Sequence, residues 1–268
     1  PAGAASVGHG EGAKAASGKP SGARNPATGD VVDEVPAGGT ADGDRAAQAA
    51  SKAFASWSKL THTKRAEILH KAAHHMLQKV EEIAPILTKE QGKTILESRI
   101  EAQRFGENIA WFADLAEKNH GAHVALPNRT TYGLVVRKPI GVCGAIVPWN
   151  FPLTLAANKV APAIAAGNTV VLKPASTTPL STLACIEALI EGGLPEGVVN
   201  VLLGQATGEE MLEHPFIRQT ARTGSTPTGT RGMPQAAEGA NQTTLERAAA
   251  APGTVPDRPA QAAPHNTT

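Results

Sequence analysis

The sequence predicts an α/β fold: a parallel sheet with flanking helices, preceded by a helical segment and bounded by two flexible ends. Three observations carry this. From residue 132 onward, short apolar runs alternate with helical stretches of ten to fifteen residues, the pattern of βαβ units. Residues 42–120 hold apolar positions at three- and four-residue steps. Residues 1–23 and 248–268 are nearly devoid of large apolar side chains, so they cannot offset their own ordering entropy.

Taken in order, residues 1–23 are expected to be disordered, with Val7 their single β-branched aliphatic. RNPATGDVVDEVP (24–36) reads as a turn followed by a short strand through Val31, Val32 and Val35. Asp42 or Asp44 is expected to cap a helix running to Trp57. Leu69, Ala72, Met76, Val80 and Ile83 form one helix face. Pro85 is expected to open a new short helix, which Gly92 closes. A further helix spans about 94–118, with Leu96, Ile100, Ile109, Phe112 and Ala116 inward.

YGLVVRKPIGVCGAIVPWN (132–150) reads as two strands broken at Lys138-Pro139. There follow a helix at 153–166, a strand at 168–172, a helix at 180–191, a strand at 198–203 and a helix at 206–213. A weak strand near 217–222 and a helix from about 227 complete the prediction. Ligands of such parallel sheets sit at the carboxyl ends of the strands.

Composition narrows the function. The 25 Lys+Arg balance 24 Asp+Glu, giving a formal charge of +1 and no electrostatic case for nucleic acid or a membrane surface. Cys143 and Cys185 make neither a disulfide framework nor a Cys-ligated zinc site. No apolar run approaches the ~18 residues of a membrane span. The N-terminus has no apolar core resembling a signal peptide, so a reducing, cytoplasmic home is the default. The first residue is Pro1 rather than Met, which reads as a processed or partial chain.

Several short motifs could carry chemistry. PWNFP (148–152) is a rigid strand-to-helix turn. Asn150 there either presents an amide to a substrate oxyanion or caps the following helix. In LKPAS (172–176), Lys173 either binds a phosphate or ribose hydroxyl or is an ordinary strand-end lysine in solvent. GQATGE (204–209) and GSTPTG (224–229) are Gly-rich turns between a strand and a helix, where backbone N–H groups attract phosphate. Neither is a G-x-G-x-x-G, and Thr230-Arg231 stands where a nucleoside-triphosphate loop needs Lys-Ser/Thr. HKAAH (70–74) lacks the glutamate of a metalloprotease helix, so a solvated face is expected there and no metal site. Both cysteines read as small buried hydrophobes rather than activated thiols.

In this order the segments resemble the aldehyde dehydrogenase superfamily. The segments are NPATGDVVDEVP, EQGKTILES, YGLVVRKPIGVCGAIVPWNFPL, KVAPAIAAGNTVVLKPAS, GLPEGVVNVLLG, EEMLEHPFIRQTARTGSTPTG and TTLE. The resemblance covers about 24–247, roughly the N-terminal half of a full-length member, and implies a single Rossmann-like cofactor-binding domain there. It implies oxidation of a small-molecule aldehyde to a carboxylic acid with NAD or NADP, and a possible homo-oligomer, with the strands near 132–147 forming an arm and the lead-in to the sheet.

By matching positions, Asn150 would be the oxyanion donor and Glu246 the general base, with Pro148 and Trp149 beside the cofactor. Lys173 would hold the adenosine ribose. Gly204 and Gly208 would lie near the adenine, and Gly224, Ser225 and Gly229 near the pyrophosphate. Ser176 stands where many NAD-preferring members carry a glutamate, so a 2′-phosphate is not repelled. In the family the nucleophilic cysteine follows the glutamate, beyond residue 268, and neither Cys143 nor Cys185 matches its motif. The chain departs from the family pattern at Arg222, where Phe is usual, and at Arg247-Ala248-Ala249, where Leu-Gly-Gly is usual. The expected activity is therefore that of a truncated dehydrogenase, inactive alone. The alternatives are a non-catalytic nucleotide-binding or subunit-interaction module, or a non-functional remnant.

Overall fold

The computed structural model describes residues 20–128, 130–204, 208, 211, 214–224 and 242–247. The chain begins with an antiparallel pair, β1 (Pro20–Arg24) and β2 (Val31–Pro36), around the expected turn. Asn25 makes that turn by accepting the Ala27 N–H at 2.9 Å, and Gly29 supplies a φ of 78°. β1 corrects the sequence reading, which placed residues 20–23 in the disordered segment. Backbone pairing to β2 orders it, and among its described side chains Ala23 is buried. Residues 1–19 and the expected tail at 248–268 lie outside the described residues.

Four helices follow: α1 (Thr40–Trp57), α2 (His62–Gln78), α3 (Val80–Gln91) and α4 (Ile95–Ala116). α1 starts earlier than expected, because Asp42 caps from inside the first turn, its carboxylate accepting the Gly39 N–H at 2.9 Å. α2 and α3 break at Lys79, and Pro85 sits inside α3 rather than opening it. Pro85 is exposed, so the bond it removes opens toward water; a one-residue break keeps Val80 and Ile83 on the core side. Gly92 closes α3 with a φ of 90°, as expected. Thr94 and Glu97 form a reciprocal capping box at the start of α4.

The inward face of α4 is only partly the expected one. Ile109 and Ala116 are buried, and Phe112 packs against the core, but Leu96 and Ile100 are 61% and 42% exposed. Ser98, Glu101 and Phe105 are buried instead, because this helix turns a carboxylate toward the start of a later helix.

Two exposed strands, β3 (Ala122–Ala125) and β4 (Tyr132–Val135), then pair with each other and, among the described residues, with no further strand. The main sheet uses β5 (Val142–Ile146), β6 (Thr169–Lys173), β7 (Val199–Val201), β8 (Ile217–Gly224) and β9 (Gln242–Arg247), all parallel, in the order β7-β6-β5-β8-β9. α5 (Pro152–Ala165) and α6 (Leu180–Glu191) make the crossovers. The α/β class and the parallel sheet are as the alternation predicted; β1, β3 and β9 are strands that it did not give. The expected helices at 206–213 and from 227 lie mostly or wholly outside the described residues.

The sheet has two covered faces. Cys143, Ala145, Val170 and Leu172 point to α5 and α6, whose outer sides pack on α2, α3 and α4 in one large core. Val142 and Val171 share the smaller cluster with Ala46 and Ala50 of α1, together with Leu202 and Met211.

α6 begins on a buried carboxylate. Glu90 of α3 accepts the N–H groups of Leu180 and Ser181, at 2.8 and 2.9 Å, and the Ser181 hydroxyl. Burial raises the Glu90 carboxyl from 4.5 to about 7 against those three bonds. A raised folded-state value stabilises most below the ordinary one, and that stability is lost as the pH rises through about 7. Unfolding stability should therefore fall by about 2–3 kcal/mol from this group between pH 4.5 and 7. Denaturant titrations across that window should show the slope, and Glu90→Gln should flatten it; an unchanged slope in the variant would refute the assignment.

Candidate functional site

The sequence places Pro148, Trp149 and Asn150 in the turn between β5 and α5, at the carboxyl edge of the sheet. Trp149 and Asn150 are exposed and Pro148 is half-buried. Pro152 is the first residue of α5, where its missing N–H costs nothing. The turn is fixed from below. Lys93 Nζ donates to the Asn150 carbonyl at 3.2 Å and lies 4.4 Å from the centre of the Phe151 ring. Lys93 also pairs with Glu101, both side chains being nearly sealed from water.

Glu101 Oε1 accepts the Leu153 and Thr154 N–H groups, each at 3.0 Å. These are the N–H groups a helix cap would satisfy, so Glu101 is the cap and the capping alternative for Asn150 falls away. The Asn150 amide stands at the open edge.

Two turns along α5, Lys159 donates to Glu246 Oε2 at 3.1 Å, and the Thr223 hydroxyl donates to the same oxygen at 2.6 Å. The Lys159 side chain is 5% exposed, the Glu246 side chain 55%. The Thr223 bond first, then the Lys159 bond, hold the Glu246 carboxyl below the usual carboxylate range despite partial burial. Glu246 thus stands ionised at the mouth of a cleft of about 310 Å³ between α5 and the sheet, which Cys143, Asn158 and Gln219 also line. Burial pushes the Cys143 thiol up to about 11, and burial with the Glu101 and Glu90 charges pushes Cys185 well above its ordinary value.

Sequence reasoning missed Lys159 and Thr223. Lys159 had a signal, as the single charged residue of α5. Thr223 had none beyond being one of several threonines in and around a strand.

The opposite face of the same edge carries a second group. Lys173 ends β6 and is only 8% exposed, which overturns the reading as a solvated strand-end lysine. A Cβ on Gly208 would lie 3.1 Å from Lys173 Cδ, so the glycine makes room for the lysine stem. Gly204 takes a φ of 119° in the bend three residues past β7, Gly224 closes β8, and Ser176 is half-buried in the turn after Pro174. Arg222, buried at 7%, shares the register line of Lys173 across Ile146. Ser225 and Gly229 lie outside the described residues.

The histidines of α2 are surface groups: His70 meets Asp114, His74 meets Gln78 and His75 meets Glu191. Among the described residues, no group of three His, Cys, Asp or Glu side chains is placed to hold a metal ion.

The profile of the Aldehyde dehydrogenase family matches residues 13–258. The chain belongs to that family. It is 41% identical to a 3-sulfolactaldehyde dehydrogenase of Pseudomonas putida over 85% of this chain and 47% of that protein. It is 39% identical to an NADP(+) succinate-semialdehyde dehydrogenase of Escherichia coli over 85% of this chain and 48% of that protein. The crystal structure of a succinate-semialdehyde dehydrogenase from Burkholderia pseudomallei superposes with a TM-score of 0.88 and 38% identity. That match covers 91% of this chain and 51% of the other. This aldehyde dehydrogenase-family chain spans about half the length of the relatives it matches.

The Glu246 arrangement predicts a measurable charge state. Thr223→Val and Lys159→Met should each raise the Glu246 carboxyl pKa, the first through the loss of the shorter bond. Carboxyl-carbon NMR titration of the wild type and both variants tests this. A titration unchanged in both variants would show that neither contact governs the charge.

Proposed function

We propose that residues 20–247 form the cofactor-binding part of an NAD(P)-dependent aldehyde dehydrogenase, and that the chain's chemistry is the oxidation of an aldehyde to a carboxylic acid. The observation that carries this is the pairing, on one sheet edge, of an exposed Asn150 amide with a carboxylate held ionised at Glu246. Asn150 donates to the oxygen on which negative charge develops when an aldehyde carbon is attacked. Glu246, kept deprotonated by Thr223 and Lys159, accepts a proton at Oε from the water that releases the acid.

The residues present fit a dinucleotide. The glycine at 208 accommodates the Lys173 stem, and Lys173, Ser176, Gly204 and Gly224 lie at or just past the ends of β6, β7 and β8 on one edge. Pro148 and Trp149 flank that edge, and Ser225 and Gly229 belong to the same assignment. When bound, NAD(P)+ supplies the hydride acceptor. Relatives support either form: two are named as NADP(+) enzymes, and a betaine aldehyde dehydrogenase of Staphylococcus aureus, TM-score 0.86 and 33% identical, is a complex with NAD+.

Self-association is part of the same proposal. β3 and β4 project Tyr132 and Leu134, 77% and 73% exposed, with Val136 beyond them at 68%, and another copy of the chain would cover them. No described helix is long and apolar enough to cross a membrane. A cytoplasmic location is proposed on the unpaired cysteines and balanced charge.

A specific observation favours a second reading for the 268 residues by themselves, as a nucleotide-binding module without turnover. Both cysteines are buried with raised pKa values, and neither offers a thiolate for covalent attack. The purified chain should therefore bind NAD+ or NADP+ in a calorimetric titration, more weakly in Lys173→Ala. It should form no NADH or NADPH from aliphatic, aromatic or semialdehyde substrates. Absence of dinucleotide binding would refute the cofactor assignment. Turnover that vanishes in Cys143→Ala would refute the account of the thiol.

A further inference from the structure

The Lys173 environment contains a second positive charge. Lys173 and Arg222 lie at the carboxyl ends of β6 and β8, in register with Ile146 of the strand between them. Their side chains therefore leave the sheet on the same face, from Cα atoms two strand spacings apart, roughly 10 Å. Both are buried, at 8% and 7% exposure. The ammonium of Lys173 makes one long bond, 3.4 Å, to the Pro174 carbonyl, and among the described residues no carboxylate pairs with it. Burial and then the Arg222 charge lower its pKa, so the two cations feel each other. The stem of Lys173 is held against Gly208, which keeps the ammonium at this edge.

A planar carboxylate is matched by one guanidinium fork. Two long cationic side chains that leave one sheet face on either side of a strand suit a tetrahedral dianion, whose three free oxygens accept from both. Ser176, three residues past Lys173 in the turn after Pro174, brings no negative charge to this stretch.

We propose that Arg222 and Lys173 together hold a phosphomonoester on the adenosine ribose of the dinucleotide, making Arg222 a residue that selects NADP+ over NAD+. This rests on the dinucleotide reading above. Lysine alone can meet a ribose hydroxyl; the second, permanently charged group is what a phosphate dianion requires and a hydroxyl does not.

The test uses two probes that differ only in that phosphate, 5′-AMP and 2′,5′-ADP, titrated calorimetrically into the full chain. The wild type should bind 2′,5′-ADP at least about tenfold more tightly, and the preference should shrink steeply with added salt. Arg222→Met should remove most of the preference while leaving 5′-AMP affinity unchanged, and Arg222→Lys should retain part of it. NADP+ and NAD+ should follow the same order. A preference that survives in Arg222→Met, or an equal loss for both probes in that variant, would overturn the inference. Should Arg222→Met fail to fold, the wild type decides: a 2′-phosphate that adds nothing, or adds affinity insensitive to salt, overturns it. Binding of 5′-AMP without added affinity from the 2′-phosphate sinks this inference alone; binding of neither probe sinks the cofactor assignment as well.

Discussion

The site depends on how α5 is held at its two ends. At the N-terminus, the buried Glu101 carboxylate takes the Leu153 and Thr154 N–H groups. At the C-terminus, Trp57 Nε1 donates to the Ile164 carbonyl at 3.0 Å, and Arg65 Nε donates to the Ala165 carbonyl at 3.1 Å. A negative group thus meets the positive end of the helix dipole and a positive group the negative end, and the orphan backbone groups at both ends find partners. Both clamps come from the helical segment that precedes the sheet. That segment fixes the axial position of α5, and with it the Asn150 turn and the Lys159 ammonium. Burial lowers the pKa of the Arg65 guanidinium, but it remains the strong donor that such a seat needs.

The sheet then separates two electrostatic environments by nothing more than side-chain alternation. Thr223 faces α5 and joins Lys159 in keeping Glu246 ionised; its neighbour Arg222 faces the other way and joins Lys173. One step along the strand exchanges a stabilised anion for a crowded pair of cations. Under the proposed function, a ligand lying across the carboxyl edge would meet both, with its anionic groups toward Lys173 and its reacting carbon toward Asn150 and Glu246.

The fold was largely legible because it rests on local signals. Alternating apolar runs and helices gave the parallel sheet, and Gly92 and Thr94 marked a helix end and a helix start. Much of what was misread shares one cause, the override of local pattern by distant partners. Leu96 and Ile100 have helical spacing, yet α4 turns Glu101 inward to reach α5 and leaves them in solvent. β1 has almost no apolar content and is ordered mainly by pairing with β2. β9 reads as a polar stretch and is a strand because β8 offers it a parallel edge.

The sequence by itself determined the chemical inventory: the PWNFP turn, the lysine after β6, the glutamate in TTLE, the glycines of the strand-end turns, and two cysteines among apolar neighbours. Those are matters of residue identity and short spacing, and they hold wherever the chain goes. Only the tertiary structure decided that Glu101 rather than Asn150 caps α5, that Lys159 and Thr223 converge on Glu246, and that Arg222 shares a sheet face with Lys173. The pairs among these that lie far apart in the chain, by as many as 87 residues for Lys159 and Glu246, meet only through sheet order and helix docking. The charge state of a carboxyl or an ammonium is set by whatever burial and partners that docking brings to it, so it could not be read from the order of residues.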